Sequence, residues 1–151
     1  MEIVTTRIIS APAERVFGIV ADIPEWPKVL SAVKSASILS GGPVGVSSHV
    51  RQTRKMFRRL AINDMYVAAL DPPKRMLLTA EGRGIRYLTE YTVEDAGPTS
   101  ARLTLRFRAT PETWFAGLMA RVTGLPGPGT KRSLEKDMGD FAAAAEAAGA
   151  G

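Results

Sequence analysis

The stretch ISAPAERVFGIVADIPEWPKVLSAV, residues 9–33, decides the fold. A β-branched segment leads into Pro12, and proline suits the first turn of a helix because it has no backbone N–H to satisfy. Apolar residues then recur at the helical spacing i, i+3, i+4 and i+7: Val16, Ile19, Val20 and Ile23. Pro24 ends this helix, since the residue before a proline avoids helical backbone angles. The stretch therefore predicts a first strand and two short helices, the second carrying Trp26.

Residues 33–110 have the pattern of an antiparallel sheet. Short β-like runs are separated by Gly, Pro and Asp turns. The last two runs, IRYLTEYTV and ARLTLRFRAT, alternate between an apolar face and a charged face, as half-buried antiparallel strands do. The run AINDMYVAAL carries apolar residues at both parities, so the sequence leaves open which of its side chains face inward.

The C-terminal segment KRSLEKDMGDFAAAAEAAG predicts a long amphipathic helix with one apolar stripe: Leu134, Met138, Phe141 and Ala145. A sheet with one apolar face must be covered, and this helix is the only long element free to cover it. We therefore predict an α+β fold, a single domain over residues 1–151. A curved antiparallel sheet wraps around the last helix, the two short helices cap one end, and a cavity lies between sheet and helix.

Taken in order, these features resemble the START-like or Bet v 1-like (SRPBCC) superfamily of helix-grip domains, in particular its polyketide cyclase/dehydrase and lipid-transport branch. The resemblance covers nearly the whole chain and rests on these segments: IISAPAERVF, ADIPEWPKVLSAV, LDPPKRM, YTVEDAGPTSARLTLRF and the amphipathic C-terminal helix. It implies a hydrophobic cavity that holds a small apolar or aromatic molecule.

The N-terminal stretch is also similar to that of the aromatase/cyclases of aromatic polyketide synthesis, with Trp26 matching the tryptophan of their motif. Those enzymes carry a tyrosine shortly after the tryptophan-proline pair, where this chain has Val33. They also carry an arginine on the strand before the turn that matches LDPP, where this chain reads MYVAAL. Their catalytic residues therefore do not carry over position by position.

Composition narrows the classes of function. The chain has no cysteine, so thiolate chemistry and cysteine metal sites are excluded. One histidine, His49, is too few for a histidine metal site, and we expect neither a metal nor a cofactor. No apolar run reaches the length of a membrane span and no signal peptide is evident, which indicates a cytoplasmic protein.

The net charge of +5 invites a nucleic-acid hypothesis, because the cations concentrate in RQTRKMFRRL, residues 51–60. Only Phe57 is available there for base stacking, and no nucleic-acid motif occurs elsewhere. We interpret this segment as a solvated hairpin and expect no nucleic-acid partner. The sequence leaves the oligomeric state open.

We predict that the ligand-binding residues lie at the buried parity of the strands and on the helical stripe: Trp26, Val50, Gln52, Leu77, Tyr87, Tyr91, Leu103, Leu105, Leu134, Met138 and Phe141. Tyr87 and Gln52 are the candidate proton donors to an enolate oxygen, while Tyr91 is interpreted as core packing. Trp26 is expected to anchor the short helices and to lie near the cavity mouth. The loop GLPGPG, residues 124–129, is a candidate gate. Side chains of the opposite parity should face solvent: His49, Arg86, Arg102 and Arg106. Asp64 is interpreted as exposed, with a polar group that orients a ligand in the pocket as the alternative.

Three functional hypotheses remain open. The first is a carrier or binding module for a lipid-like or polycyclic molecule, without catalysis. The second is a polyketide cyclase, aromatase or dehydratase that works mainly by positioning a poly-β-ketone. The third and weakest is a lipid carrier that contacts a membrane through the basic residues 51–59.

Overall fold

Seven strands form one antiparallel sheet in the order β1-β7-β6-β5-β4-β3-β2. The structure is a computed structural model that describes residues 1–56, 58–123 and 128–150. The strands are β1 (Glu2–Ile9), β2 (Val33–Ile38), β3 (His49–Met56), β4 (Arg59–Asp71), β5 (Arg75–Gly82), β6 (Ile85–Gly97) and β7 (Ser100–Pro111). The helices are α1 (Ala13–Ala21), α2 (Trp26–Val29), α3 (Trp114–Thr123) and α4 (Pro128–Ala150), and a 3₁₀ turn at Ile23–Glu25 leads into α2.

The predicted helix-grip architecture is confirmed: a curved sheet, short helices after the first strand and a long last helix. Alternation along the strands assigns one face to the interior. On β7, for example, Ala101, Leu103 and Leu105 are buried, whereas Arg102 and Arg106 are exposed. None of the described helices is both long and apolar enough to span a membrane.

The broken helix pair of residues 13–29 serves to place Trp26. Its indole is 1% exposed and its Nε1 donates a 3.0 Å hydrogen bond to the carbonyl oxygen of Val20 in α1. The ring makes edge contacts with Tyr91 on β6 and Phe141 on α4, at centroid distances of 6.5 and 6.2 Å. Trp26 therefore ties α1 and α2 to both the sheet and the last helix, as its interpretation as an anchor requires.

Polar contacts fix α4 against the first segment of the chain. The backbone N–H of Ser10 donates to Glu146 Oε2 at 2.9 Å. The backbone N–H and the hydroxyl of Ser31 both donate to Asp140 Oδ2, at 3.0 and 3.1 Å. The second half of α4 is therefore packed against α1 and the α2–β2 connection.

The orientation of β4, which the sequence left open, is resolved by its register with β3. Val50 pairs with Met65, and both are buried, whereas Ile62 and Tyr66 lie on the outer face and are exposed. A bulge between Val67 and Ala69 shifts the parity toward the end of the strand.

The inward orientation predicted for Leu77 is wrong. Leu77 pairs with Glu90 on the outer face, while its neighbours Met76 and Leu78 are buried on the inner face. The run Met76–Leu77–Leu78 is apolar at both parities, so only the register with Tyr91 decides which side chains point inward.

Candidate functional site

A charged pair lies inside the molecule between β3 and α4. The guanidinium of Arg54 donates from its two terminal nitrogens to the two carboxylate oxygens of Asp137, at 3.1 and 2.9 Å. The side chains are 11% and 2% exposed. The interpretation of residues 51–60 as a solvated hairpin is therefore wrong for Arg54. This arginine shares the parity of Val50 and Gln52, and that parity was the signal for its inward position.

Asp137 lies on the apolar stripe of α4, three residues after Leu134 and four before Phe141. Burial raises the pKa of its carboxyl above the usual range, and the adjacent guanidinium opposes this effect. Burial alone would lower the pKa of Arg54, but the Asp137 carboxylate outweighs it and holds that pKa above its ordinary value. Desolvating the two charges of such a buried, bidentate pair is costly. The interior between β3 and α4 is therefore polar at this position.

Gln52 adds an unsatisfied polar group to this interior. Its side chain is 6% exposed, its Nε2 lies 3.8 Å from Met65 Sδ, and its Oε1 has no hydrogen-bond partner among the described residues. Asn63, partly buried, lies opposite Gln52 in the register of β3 and β4. A buried amide oxygen without a donor costs about 1–3 kcal/mol. A ligand hydroxyl or N–H reaching this oxygen would remove that cost.

Tyr91 lies at the centre of the aromatic core. Its ring packs edge-on against Phe141 at 5.8 Å, and burial, reinforced by the Asp137 carboxylate, raises the pKa of its phenol well above the usual range. The hydroxyl therefore stays protonated at any physiological pH.

The two candidate proton donors, Tyr87 and Gln52, do not form one constellation. Tyr87 is half-buried on β6 with its ring 6.0 Å from that of Phe107. Gln52 is on β3, and β4 and β5 lie between them. Three strand spacings separate the two backbones by about 14 Å. The two residues are therefore alternative candidates on separate strands rather than neighbours.

The inward-facing residues fall into a closed half and an open half. The closed half, packed against α1, α2 and the second half of α4, contains most of the predicted site in fully or almost fully buried positions: Trp26, Val50, Gln52, Tyr91, Leu103, Leu105, Met138 and Phe141. The open half, nearest α3 and the start of α4, consists of inward side chains that remain partly exposed: Ala61, Asn63, Ala80, Tyr87, Thr89, Phe107 and Leu134. Of the predicted residues, only Tyr87 and Leu134 belong to the open half.

A surface pocket of about 240 Å³ opens beside this region. It lies between the α2–β2 connection, the end of β3 and the first turns of α4, and its lining is Ser31, Ala32, Lys55, Gly129, Arg132, Ser133 and Lys136. The predicted gate contributes only Gly129 to it, and residues 124–127 of that loop lie outside the described residues.

The outer face carries the side chains predicted to point away from the cavity. His49 is half-buried there, stacked on Tyr66 at a centroid distance of 4.6 Å, with its Nε2 3.4 Å from Asp64 Oδ2. Asp64 also forms a bidentate pair with Arg51, at 2.8 and 3.1 Å. The outward orientations predicted for His49 and Asp64 are therefore confirmed, as are those of Arg86, Arg102 and Arg106, all exposed.

Residues 1–146 match the family described as polyketide cyclase / dehydrase and lipid transport. The chain belongs to this family. Its membership confirms the resemblance in the sequence, whose matching segments run from β1 to α4. A comparison with curated proteins found no significant match.

Several solved structures have the same fold as this chain. The Zhui aromatase/cyclase from Streptomyces sp. R1128 is 15% identical, with 97% of this chain and 93% of that chain covered and a TM-score of 0.76. A START superfamily protein from Mycobacterium smegmatis is 18% identical, with 97% and 94% covered and a TM-score of 0.69. The ginseng major latex-like protein 151 from Panax ginseng is 11% identical, with 96% and 97% covered and a TM-score of 0.75. At these identities the likeness shows the fold alone.

Proposed function

We propose that the protein binds a small hydrophobic molecule, lipid-like or polycyclic aromatic, against the open half of the concave face. The observation that carries this proposal is that the inward side chains are sealed on one half of the sheet and accessible on the other.

The composition of the open half suits such a ligand. Ala61, Ala80, Phe107 and Leu134 supply apolar and aromatic surface, and Asn63, Tyr87 and Thr89 supply hydrogen-bonding groups among them. Binding sites for small molecules combine apolar walls with a few polar groups that fix orientation. Gln52 lies where the closed half meets the open half, opposite Asn63, and its Oε1 has no hydrogen-bond partner among the described residues. This oxygen favours a ligand that carries a hydroxyl or an N–H.

Native mass spectrometry after mild purification, followed by organic extraction, tests the proposal without knowledge of the ligand. Titration with a planar polyphenol or a hydrophobic dye gives an affinity. Ala80→Phe places a large ring in the open half and should abolish binding. Thr79→Phe, one residue earlier on the outer face of the same strand, is the matched control and should bind normally. Equal affinity of the two variants would contradict an internal site.

A second candidate function, a cyclase or dehydratase acting on a poly-β-ketone, is favoured by the Arg54–Asp137 pair. Two of the guanidinium donors bind Asp137, and an arginine has five, so three N–H donors remain for an enolate oxygen. This places a cation on β3, next to β4, the strand on which the similar cyclases carry their arginine.

The cyclase hypothesis is tested with a reactive poly-β-ketone. Tyr87→Phe and Gln52→Ala each remove one candidate donor and should change the ratio of cyclised products. Product distributions equal to those of the unchanged protein, and equal to the spontaneous distribution, would leave binding without catalysis as the function. The cytoplasmic location remains a prediction from the sequence.

A further inference from the structure

Over residues 114–119, the part of helix α3 whose side chains the structure describes, the bulky side chains face water and the small ones face the protein. Trp114, Phe115 and Leu118 are 81%, 60% and 49% exposed. Ala116 is buried on the opposite side of the helix. Spacings of one and four residues put the three large side chains within about 100° of one another around the helix axis. The apolar face of α3 is therefore turned away from the core.

The inner side of α3 shows why the helix cannot simply be rotated inward. A Cβ atom on Gly84, in the β5–β6 turn, would lie 3.1 Å from Ala116 Cβ. A Cβ atom on Gly117 would lie 3.6 Å from Pro111 Cβ. The helix is seated closely on small residues, and there is no room for an indole on that side. Contiguous exposed apolar surface of this kind marks an interaction site more often than a packing defect.

Cations lie at the same end of the molecule. Because the sheet is antiparallel, the β3–β4 turn, the β5–β6 turn and the end of β7 lie at the same end of it, with Ile85 paired to both Gly82 and Pro111. The β3–β4 turn extends beyond the β5–β6 turn, since Tyr66, seven residues after Arg59, pairs with Thr79. These two turns carry three exposed arginines, and none of them enters an ion pair formed within the described ranges: Arg58, Arg59 and Arg83.

We propose that this end of the protein docks on an anionic lipid bilayer, with Trp114, Phe115 and Leu118 inserted at the interface and Arg58, Arg59 and Arg83 against the headgroups. Aromatic side chains settle at the boundary between headgroups and acyl chains, and arginines near an anionic surface add attraction. A second copy of the chain would explain the apolar face but would bring like-charged arginines together. An acidic protein would explain the arginines but not three large apolar side chains. This inference goes beyond the proposed function, since docking requires no ligand inside.

The two tryptophans make the test selective. Trp26 is 1% exposed in the core, so any change in emission on adding vesicles reports Trp114. Vesicles of equal parts phosphatidylglycerol and phosphatidylcholine should shift the emission to shorter wavelength and carry the protein upward in flotation. Trp114→Phe should still float but lose the shift.

Variants separate the two parts of the surface. Phe115→Ser with Leu118→Ser should abolish flotation. Arg58→Ser and Arg83→Ser should each weaken binding about fivefold, which corresponds to about 1 kcal/mol per basic residue near an anionic surface. Ile62→Ser is the matched control, because Ile62 is just as exposed but lies on the outer face of β4. It should bind as the unchanged protein does.

No flotation at low salt, or flotation equal in the Phe115→Ser/Leu118→Ser variant, would overturn docking. So would an emission shift that grows with protein concentration in the absence of vesicles, because it would assign the face to self-association. Ala80→Phe should float normally while it loses ligand binding. Intact flotation together with unchanged ligand affinity in this variant would reject the proposed function and leave the docking surface standing.

Discussion

At the scale of single residues, the Arg54–Asp137 pair is the feature whose removal should be felt most. Asp137→Ala leaves a buried guanidinium without its acceptor, and we expect the free energy of unfolding to fall by about 3–5 kcal/mol. The double variant Arg54→Met/Asp137→Leu should be more stable than either single variant, since an apolar pair of similar volume needs no desolvation of charge. Urea denaturation of Arg54→Met, Asp137→Leu and the double variant, together with the unchanged protein, gives the double-mutant cycle.

Arg51 supplies the control for that cycle. It makes an equally well-formed pair with Asp64, but on the exposed outer face. Arg51→Met should therefore cost less than about 1 kcal/mol. If Asp137→Ala were no more destabilising than Arg51→Met, the inner pair would be solvated.

Asp140 gives a residue-scale prediction about pH. Its partial burial alone would raise the pKa of the carboxyl, but the hydrogen bonds from Ser31 and Lys136 outweigh burial and hold the pKa below the usual range. A carboxyl whose pKa is lower in the folded state stabilises the fold at neutral pH, and this contribution is lost as the pH falls through the folded-state pKa. Asp140→Asn should therefore lower the free energy of unfolding by about 1–2 kcal/mol at pH 7.

The difference in the free energy of unfolding between the unchanged protein and Asp140→Asn should shrink once the pH drops below the ordinary aspartate pKa of about 3.9. Urea denaturation at pH 7 and at pH 3 measures it. If the difference in the free energy of unfolding were the same at both pH values, the effect of the substitution would come from packing rather than from charge.

The residues also show how far parity carries a sequence prediction. Leu103 and Leu105 were assigned to the interior correctly because charged neighbours alternate with them. Leu77 was assigned wrongly because its neighbours are apolar on both sides. Arg54 lies within the basic segment 51–60, which predicts a solvated side chain. Its parity on the strand, however, is that of the buried Gln52 and predicts an inward one. Parity is informative for Leu103, Leu105 and Arg54. For Leu77 only the register with β6 decides which way the side chain points.

At the scale of elements, the main structural role of the short helix α2 is to position the side chain of Trp26. Trp26→Phe removes the hydrogen bond to the Val20 carbonyl and leaves a gap beside Tyr91 and Phe141. The expected cost is about 2–4 kcal/mol, from lost packing and an unpaired buried carbonyl. Thermal or urea unfolding measures it. Trp114→Phe, on exposed α3, is the matched control and should stay within about 0.5 kcal/mol; equal costs would contradict the role of Trp26 as an anchor.

The order of the elements was predictable because the sequence changes period where the structure changes type. Helical spacing over residues 13–23 and alternation along β6 and β7 gave these elements directly. The orientation of β4 was not predictable, because its apolar residues occupy both parities. The outward orientation of the apolar face of α3 is not predictable from its own sequence either, because apolar residues on a helix predict a buried face. What turns that face outward is the close approach of Gly84 and Pro111, which lie in other elements.

At the scale of the whole molecule, the division of the concave face into a closed and an open half is what sequence could not provide. Parity assigns a side chain to a face, but how deeply it is covered depends on where α1, α2 and α4 lie across the sheet. The stripe of α4 runs through both halves: Leu134 is partly exposed, while Met138 and Phe141 are sealed. Most of the residues predicted to bind a ligand therefore lie in the closed half, and only Tyr87 and Leu134 lie in the open half.

The division of the concave face into a closed and an open half leads to a prediction for an NMR titration with a planar polyphenol. Because the open half is reachable without disrupting the core, chemical-shift changes should concentrate at Asn63, Tyr87, Phe107 and Leu134, with Leu103 and Leu105 little affected. Outer-face arginines such as Arg102 should not respond. Changes confined to the lining of the 240 Å³ surface pocket, at Lys55, Arg132 and Lys136, would instead indicate an electrostatic surface site and contradict binding on the concave face.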